Sequence, residues 1–249
     1  MNDRDLADLV RRADPDRFIG AIFAPAEARR RLLALYAFNH ELARAREVAS
    51  TPPLALIRLH WWREVVEGAA RDHPVANLLP ELRARDGIVQ RDLVALIDAR
   101  EAECEPIADR AAFLAYARGT AGRLMAVAGR ILGVQDQIAL ASLEDLGTGY
   151  AIASILRASD SLRATGRDLL PSDGTPRRAL IEHAQDLLAR DPPRAALAAT
   201  LPSVLARRDL ARLRRGESYH PRGLGDRIAV IAAGLRAMGG SRPLSRQMI

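Results

Sequence analysis

Lysine is absent from the 249 residues, so each of the 37 basic side chains is arginine. Set against 31 acidic side chains, they leave a formal net charge of +6. A basic chain can bind nucleic acid, but such binders concentrate arginine with lysine, glycine and aromatic residues in patches, and aromatics here make up only 4%. Arginine placed wherever a surface cation serves is the simpler reading, and no nucleic-acid partner is expected. Cysteine is nearly absent too, and one residue excludes a disulfide scaffold. It stands in Glu103-Cys104-Glu105, where acidic neighbours raise a thiol pKa, which argues against an activated nucleophile. Long apolar runs are missing: the longest, residues 228–235, is far short of the ~20 residues that a membrane-spanning helix needs. The start, Met1-Asn2-Asp3-Arg4-Asp5, is polar and acidic, unlike a signal or transit peptide. A cytoplasmic chain, soluble or at most peripheral, is expected.

What is present is helical patterning. Hydrophobic residues make up 49% and charged ones 27%, enough apolar material to bury a core. They recur at helical spacing almost throughout, without the alternation and hairpin signals of strands, which predicts an all-α fold. Helices are expected over residues 25–48, 54–70, 75–85, 90–103, 110–132, 136–162, 176–189, 195–213 and 224–238. Breaks are expected at Thr51-Pro52-Pro53, Asp191-Pro192-Pro193 and Tyr219-His220-Pro221-Arg222-Gly223. With no long linker and no solenoid repeat, residues 1–249 read as one helical domain. Gly119, Gly122 and Gly129 each cost ~1 kcal/mol relative to alanine inside a helix, so close helix–helix contact is expected there. Trp61 and Trp62 are adjacent and cannot face the same way, so one should lie in the core and the other at an edge.

No zinc-protease, CxxC, P-loop or dinucleotide fingerprint occurs, and Gly147-Thr148-Gly149 reads as packing glycine in a helix. His40, His60, His73, His183 and His220 never cluster at ligand spacing, so no metal site is expected from them.

Several blocks resemble the squalene/phytoene synthase family. Arg17-Phe18-Ile19, Phe23-Ala24-Pro25 with Arg29, and Leu35-Tyr36-Ala37-Phe38 are similar to its opening helices. Trp61-Trp62-Arg63-Glu64, His73-Pro74-Val75 and Leu96-Ile97-Asp98-Ala99-Arg100-Glu101 are similar to its middle. Tyr116-Ala117-Arg118-Gly119-Thr120-Ala121-Gly122, Ile155-Leu156-Arg157 and Leu170-Pro171 resemble the rest, over residues 17–171 in all. The resemblance implies the isoprenoid synthase architecture, and in active members two aspartate clusters that hold Mg²⁺ against prenyl diphosphates. Carboxylates at i and i+4 share a helix face and can jointly ligate a hard cation.

Laid on this chain, the first cluster falls at Ala43-Arg44-Ala45-Arg46-Glu47 and the second at Ala158 and Leu162. Only Glu47 keeps a carboxylate, and Asp160 stands about 200° around the helix from Ala158. The resemblance extends to a divergent branch of the family, respiratory complex I assembly factors without the aspartate clusters, through Asn39, Glu41, Leu42 and Leu156-Arg157-Ala158. It implies a catalytically silent assembly or binding factor, acting with a membrane-associated respiratory complex or its subunits, peripheral at the inner membrane face and needing no cofactor. The alternative is an active prenyl-diphosphate condensing enzyme, with Mg²⁺, in which Arg44, Arg46, Arg157 and Arg163 receive the diphosphate.

Tyr36, Asn39, Glu47, Tyr150, Ser154 and Arg157 form the candidate pocket. Either it survives for an isoprenoid or lipid-like ligand, or a packed core has replaced it. Arg207, Arg208, Arg212, Arg214 and Arg215 flank Ala206, Leu210 and Leu213, as on a helix for an anionic membrane surface or as an ordinary solvated face.

Overall fold

The computed structural model describes residues 1–83, 88, 90–217 and 221–239, and among them every regular element is helical. Two short helices open the chain, α1 (Asp3–Ala13) and α2 (Pro15–Ala21), neither of which the periodicity had signalled. Their starts are capped locally: Asn2 Oδ1 accepts from the Asp5 amide at 2.9 Å, and Asp14 Oδ1 from the Arg17 amide at 3.0 Å, with Pro15 at the first helical position. Next come α3 (Ala26–Glu47), α4 (Pro52–Glu67), α5 (Leu79–Arg83) and α6 (Gln90–Glu101). Gly68, at φ 118°, caps α4, which ends at Glu67, three residues before the expected limit. The expected end of a helix at residue 85, the joint at Tyr219-His220 and residues 240–249 lie outside the described residues.

The segment expected as one helix over 110–132 is α7 (Arg110–Ala117) and α8 (Arg123–Ile131), joined by a π-helical turn over Arg118–Gly122. Then follow α9 (Gln137–Ala164) and α10 (Arg177–Leu188). The stretch expected over 195–213 splits around Pro202 into α11 (Leu197–Thr200) and α12 (Ser203–Arg214), and α13 (Leu224–Gly239) follows.

Two helices are apolar on more than one side and run through the middle of the bundle. In α3, residues 32–39 are all buried; in α9, residues 146–153 are. A helix without a polar face belongs inside, and the others pack around these two: α1 and α4 on α3, and α8, α10 and α12 on α9. No helix among the described residues is long and apolar enough to cross a membrane.

The glycines act as expected, by bringing backbones together. A Cβ on Gly122 would lie 2.6 Å from Thr148 Oγ1, and one on Gly119 2.7 Å from Ala99 Cβ. Gly147 meets the same turn from α9, where a Cβ would stand 2.8 Å from Gly122 Cα and overlap the Ala121 carbonyl. Alanine in place of an ordinary helix glycine stabilises by ~1 kcal/mol. Gly147→Ala should do the reverse, lowering the urea midpoint by an amount equivalent to about 1–3 kcal/mol, because backbone rather than a mobile side chain stands in its way.

Candidate functional site

The positions on which the family's acids would fall differ in exposure. On α3, Ala43 is half-buried while Arg44 and Glu47 are exposed; on α9, Ala158 and Leu162 are half-buried. Asp160 faces solvent, 3.9 Å from Arg177. What occupies the space between the helices is a set of arginine–carboxylate pairs.

The first set centres on Glu103, in the single 3₁₀ turn after α6, whose side chain is only 1% exposed. Arg100 donates to Glu103 Oε1 at 2.7 Å and to Asn39 Oδ1 at 3.0 Å, which ties α6 to α3. Tyr116 of α7 donates its hydroxyl to the same Oε1 at 2.8 Å. Arg167, from the loop after α9, donates to Glu103 Oε2 at 2.7 Å and to Glu47 Oε1 at 3.0 Å. Burial alone would raise the Glu103 carboxyl, but Arg100 and Arg167 outweigh it and hold its pKa below the usual carboxylate value. Burial and the Glu103 charge push the Tyr116 phenol well up. Cys104 beside it is raised by burial first and by the surrounding glutamates, the direction expected of an unactivated thiol.

The second set lies across the bundle. Arg222 reaches Asp209 at 2.6 Å and Asp16 at 2.9 Å, and Arg157 Nε stands 3.4 Å from Asp209. Between the sets, the Arg17 guanidinium lies 4.7 Å from the Tyr150 ring centre and 5.9 Å from that of Tyr36, with Asp14 accepting from it at 2.6 Å. Burial would lower the Arg17 pKa, yet Asp14 and the two rings more than offset it; burial raises both phenols.

Of the candidate pocket, Tyr150, Ser154 and Arg157 line a cleft of ≈ 580 Å³, together with Arg17, Arg100 and Tyr116. Tyr36 and Asn39 lie buried behind it, reached through Arg17 and Arg100. Glu47 joins only through Arg167. The four arginines expected to share a diphosphate are not gathered: Arg44 pairs with Glu41, Arg46 donates to the Ala49 carbonyl, Arg157 faces Asp209 and Arg163 pairs with Asp168. Arginine is abundant enough to satisfy the nearest acceptor, and each of these does so locally. Four of the five arginines at and just after α12 are likewise engaged, since Arg207 donates to the Leu188 carbonyl, Arg208 and Arg212 hold Asp226, and Arg215 pairs with Glu217. Burial alone would raise the Asp226 carboxyl, but the two arginines bring it down to about 2. Arg100, Glu103, Arg167 and Arg17 carry the site, and their roles were not read from the sequence.

The family model for squalene/phytoene synthase matches residues 10–179. The chain belongs to the squalene/phytoene synthase family. Its curated relatives include NADH dehydrogenase (ubiquinone) complex I, assembly factor 6, of Bos taurus, 30% identical over 200 residues, covering 76% of this chain and 60% of that protein. The Homo sapiens protein of the same name is 29% identical over 195 residues, covering 74% and 59%. The chain thus spans about three fifths of the length of the curated relatives it matches. A dehydrosqualene synthase crystal structure superimposes with a TM-score of 0.77 at 12% identity, covering 95% of this chain and 96% of that one. The squalene synthase HpnC from Alicyclobacillus acidocaldarius does so with 0.69 at 20% identity, covering 87% and 95%. These two likenesses place the chain in the isoprenoid synthase fold.

Within a squalene/phytoene synthase scaffold, the residues at 43–47 and 158–162 do not fit a Mg²⁺–diphosphate centre. Glu47 is the one acid among the cluster positions, and its carboxylate already accepts from Arg167. Among the described residues, no group of three or more histidine, cysteine or acidic side chains could hold a metal ion. Of the other cluster positions, Arg44 is a cation, and Ala43, Ala158 and Leu162 offer no ligand atom.

Glu103→Gln takes from Arg100 its carboxylate and leaves Arg167 only the exposed Glu47, and should cost about 3 kcal/mol or more. The Glu103 carboxyl has a lowered pKa when folded, so its contribution is complete above the ordinary glutamate value of about 4.3 and is lost as pH falls through the lower folded value. Urea midpoints followed from about pH 7 down to about pH 3 should therefore drop more steeply for the parent chain than for the variant.

Proposed function

We propose that this chain is an assembly or binding factor for respiratory complex I, built on a squalene/phytoene synthase scaffold that no longer condenses prenyl diphosphates. The observation that carries this reading is that Glu47, the one acid among the cluster positions 43, 44, 47, 158 and 162, is taken up in the Glu47–Arg167–Glu103–Arg100 chain of pairs. The names of its relatives in Bos taurus and Homo sapiens support the assembly role. The reading treats residues 1–249 as one domain, cytoplasmic and peripheral at the inner membrane face, with subunits of the respiratory complex as partners.

The ≈ 580 Å³ cleft favours a second reading within the first, in which an isoprenoid or lipid-like ligand is bound and not turned over. Incubated with farnesyl or geranylgeranyl diphosphate and Mg²⁺, the pure protein should release no pyrophosphate and form no head-to-head hydrocarbon. Turnover at ordinary enzyme rates, on the order of 1 s⁻¹ or faster, would restore the enzyme. A deletion strain should lose NADH:quinone oxidoreductase activity of complex I and regain it with the gene returned; intact activity in that strain leaves only the fold.

A further inference from the structure

Helix α3 carries a second stripe besides the one facing the cleft. Glu41, Arg44, Ala45 and Val48 follow the i, i+3, i+4, i+7 pattern and look onto α4, where a cavity of ≈ 410 Å³ opens to solvent. Its walls are aromatic. The Trp61 and Trp62 rings stand 4.9 Å apart at 88°, and the His73 ring lies edge-on to both, at 5.8 and 5.1 Å. As expected of the adjacent pair, Trp62 is in the core, against Phe38, and Trp61 is at the edge. At the mouth Val48 is 47% exposed and Ile57 64%, so apolar surface continues outward from the cavity.

Arginine predominates at this mouth. Arg44 and Arg58 line it, and Glu41 is the one acid among the described lining residues, already paired with Arg44 at 3.3 Å. Arg58 is exposed and makes no ion pair among the described residues. His73 Nδ1 accepts from the Val75 amide at 3.2 Å, which in the neutral ring puts the proton on Nε2, another donor. A ligand head must therefore accept hydrogen bonds and carry negative charge, while the indole walls require an apolar body. The cavity has the size of a small-molecule site and is too small for a protein domain edge.

We propose that this pocket binds an anionic amphiphile, a single aliphatic chain or small ring system ending in a carboxylate or a similar monoanion. Its body lies between Trp61, Trp62 and Ile57, and its head meets Arg58 and Arg44. The site is separate from the central cleft and does not rest on the assembly reading.

The two tryptophans are the only two in the sequence, so intrinsic indole emission of the full chain reports on this pocket alone. Titration with dodecanoate, kept below its micelle concentration, should shift that emission saturably, and dodecyltrimethylammonium should need about tenfold more, the worth of one charge-assisted contact. Arg58→Glu, and Arg44→Glu with it, should abolish or reverse that preference while leaving the helical circular dichroism unchanged, as both side chains are exposed. Displacement of 1-anilinonaphthalene-8-sulfonate by dodecanoate gives a second readout. Equal response to the two head groups, no saturable change, or an anion preference that survives both substitutions would overturn the proposal. Emission that shifts with anionic vesicles but not with monomeric dodecanoate would overturn it in favour of a bilayer surface.

Discussion

The carboxylate of Glu103 ties together three separate parts of the chain. It takes a hydrogen bond from α6, another from α7 and a third from the loop after α9, and through Arg100 it reaches Asn39 on α3. A carboxylate this deeply buried is tolerable only with its charge matched and its lone pairs satisfied, and two guanidinium groups and a phenol do both. Loops and helices that must deliver these partners have little freedom in how they pack. Arg167 in particular fixes where the chain goes on leaving α9, since its other arm holds Glu47.

The same pairing recurs across the interior. Acids facing each other across a bundle need cations between them. Guanidinium groups inside it need carboxylates in turn, and Glu103, Asp14, Asp16 and Asp209 supply them. The net charge of +6 is thus a poor guide to the interior, where arginine and acid are closely matched, and a better guide to the rim of the Trp61 pocket, where they are not.

The long helices could be read in the sequence because burial on one face leaves a periodic trace, and α3 and α9 lie within two residues of their expected limits. Helices α1 and α2 were missed because they are short, although Asn2, and Asp14 followed by Pro15, are start signals with a physical basis. The residues at 43–47 and 158–162 could be read because identity at a motif position is a property of the sequence. The pairs around Glu103 could not, because Glu103 and Arg167 are 64 residues apart and only the fold brings them together. The irregular stretch Thr165-Gly166-Arg167-Asp168 was visible as a break; that its arginine turns inward was not.

The π-helical turn between α7 and α8 sets a condition of a different sort. One residue beyond the α-helical count is stored there, and each residue advances a helix by about 100°. Tyr116, before the turn, points at Glu103, while Gly122, Gly129 and Ile131, from its end onward, meet α9 or the core. Those two faces agree only with the extra residue in place. The number of residues over 110–131 is therefore fixed: removing one would turn either the tyrosine or the glycines away from what they touch.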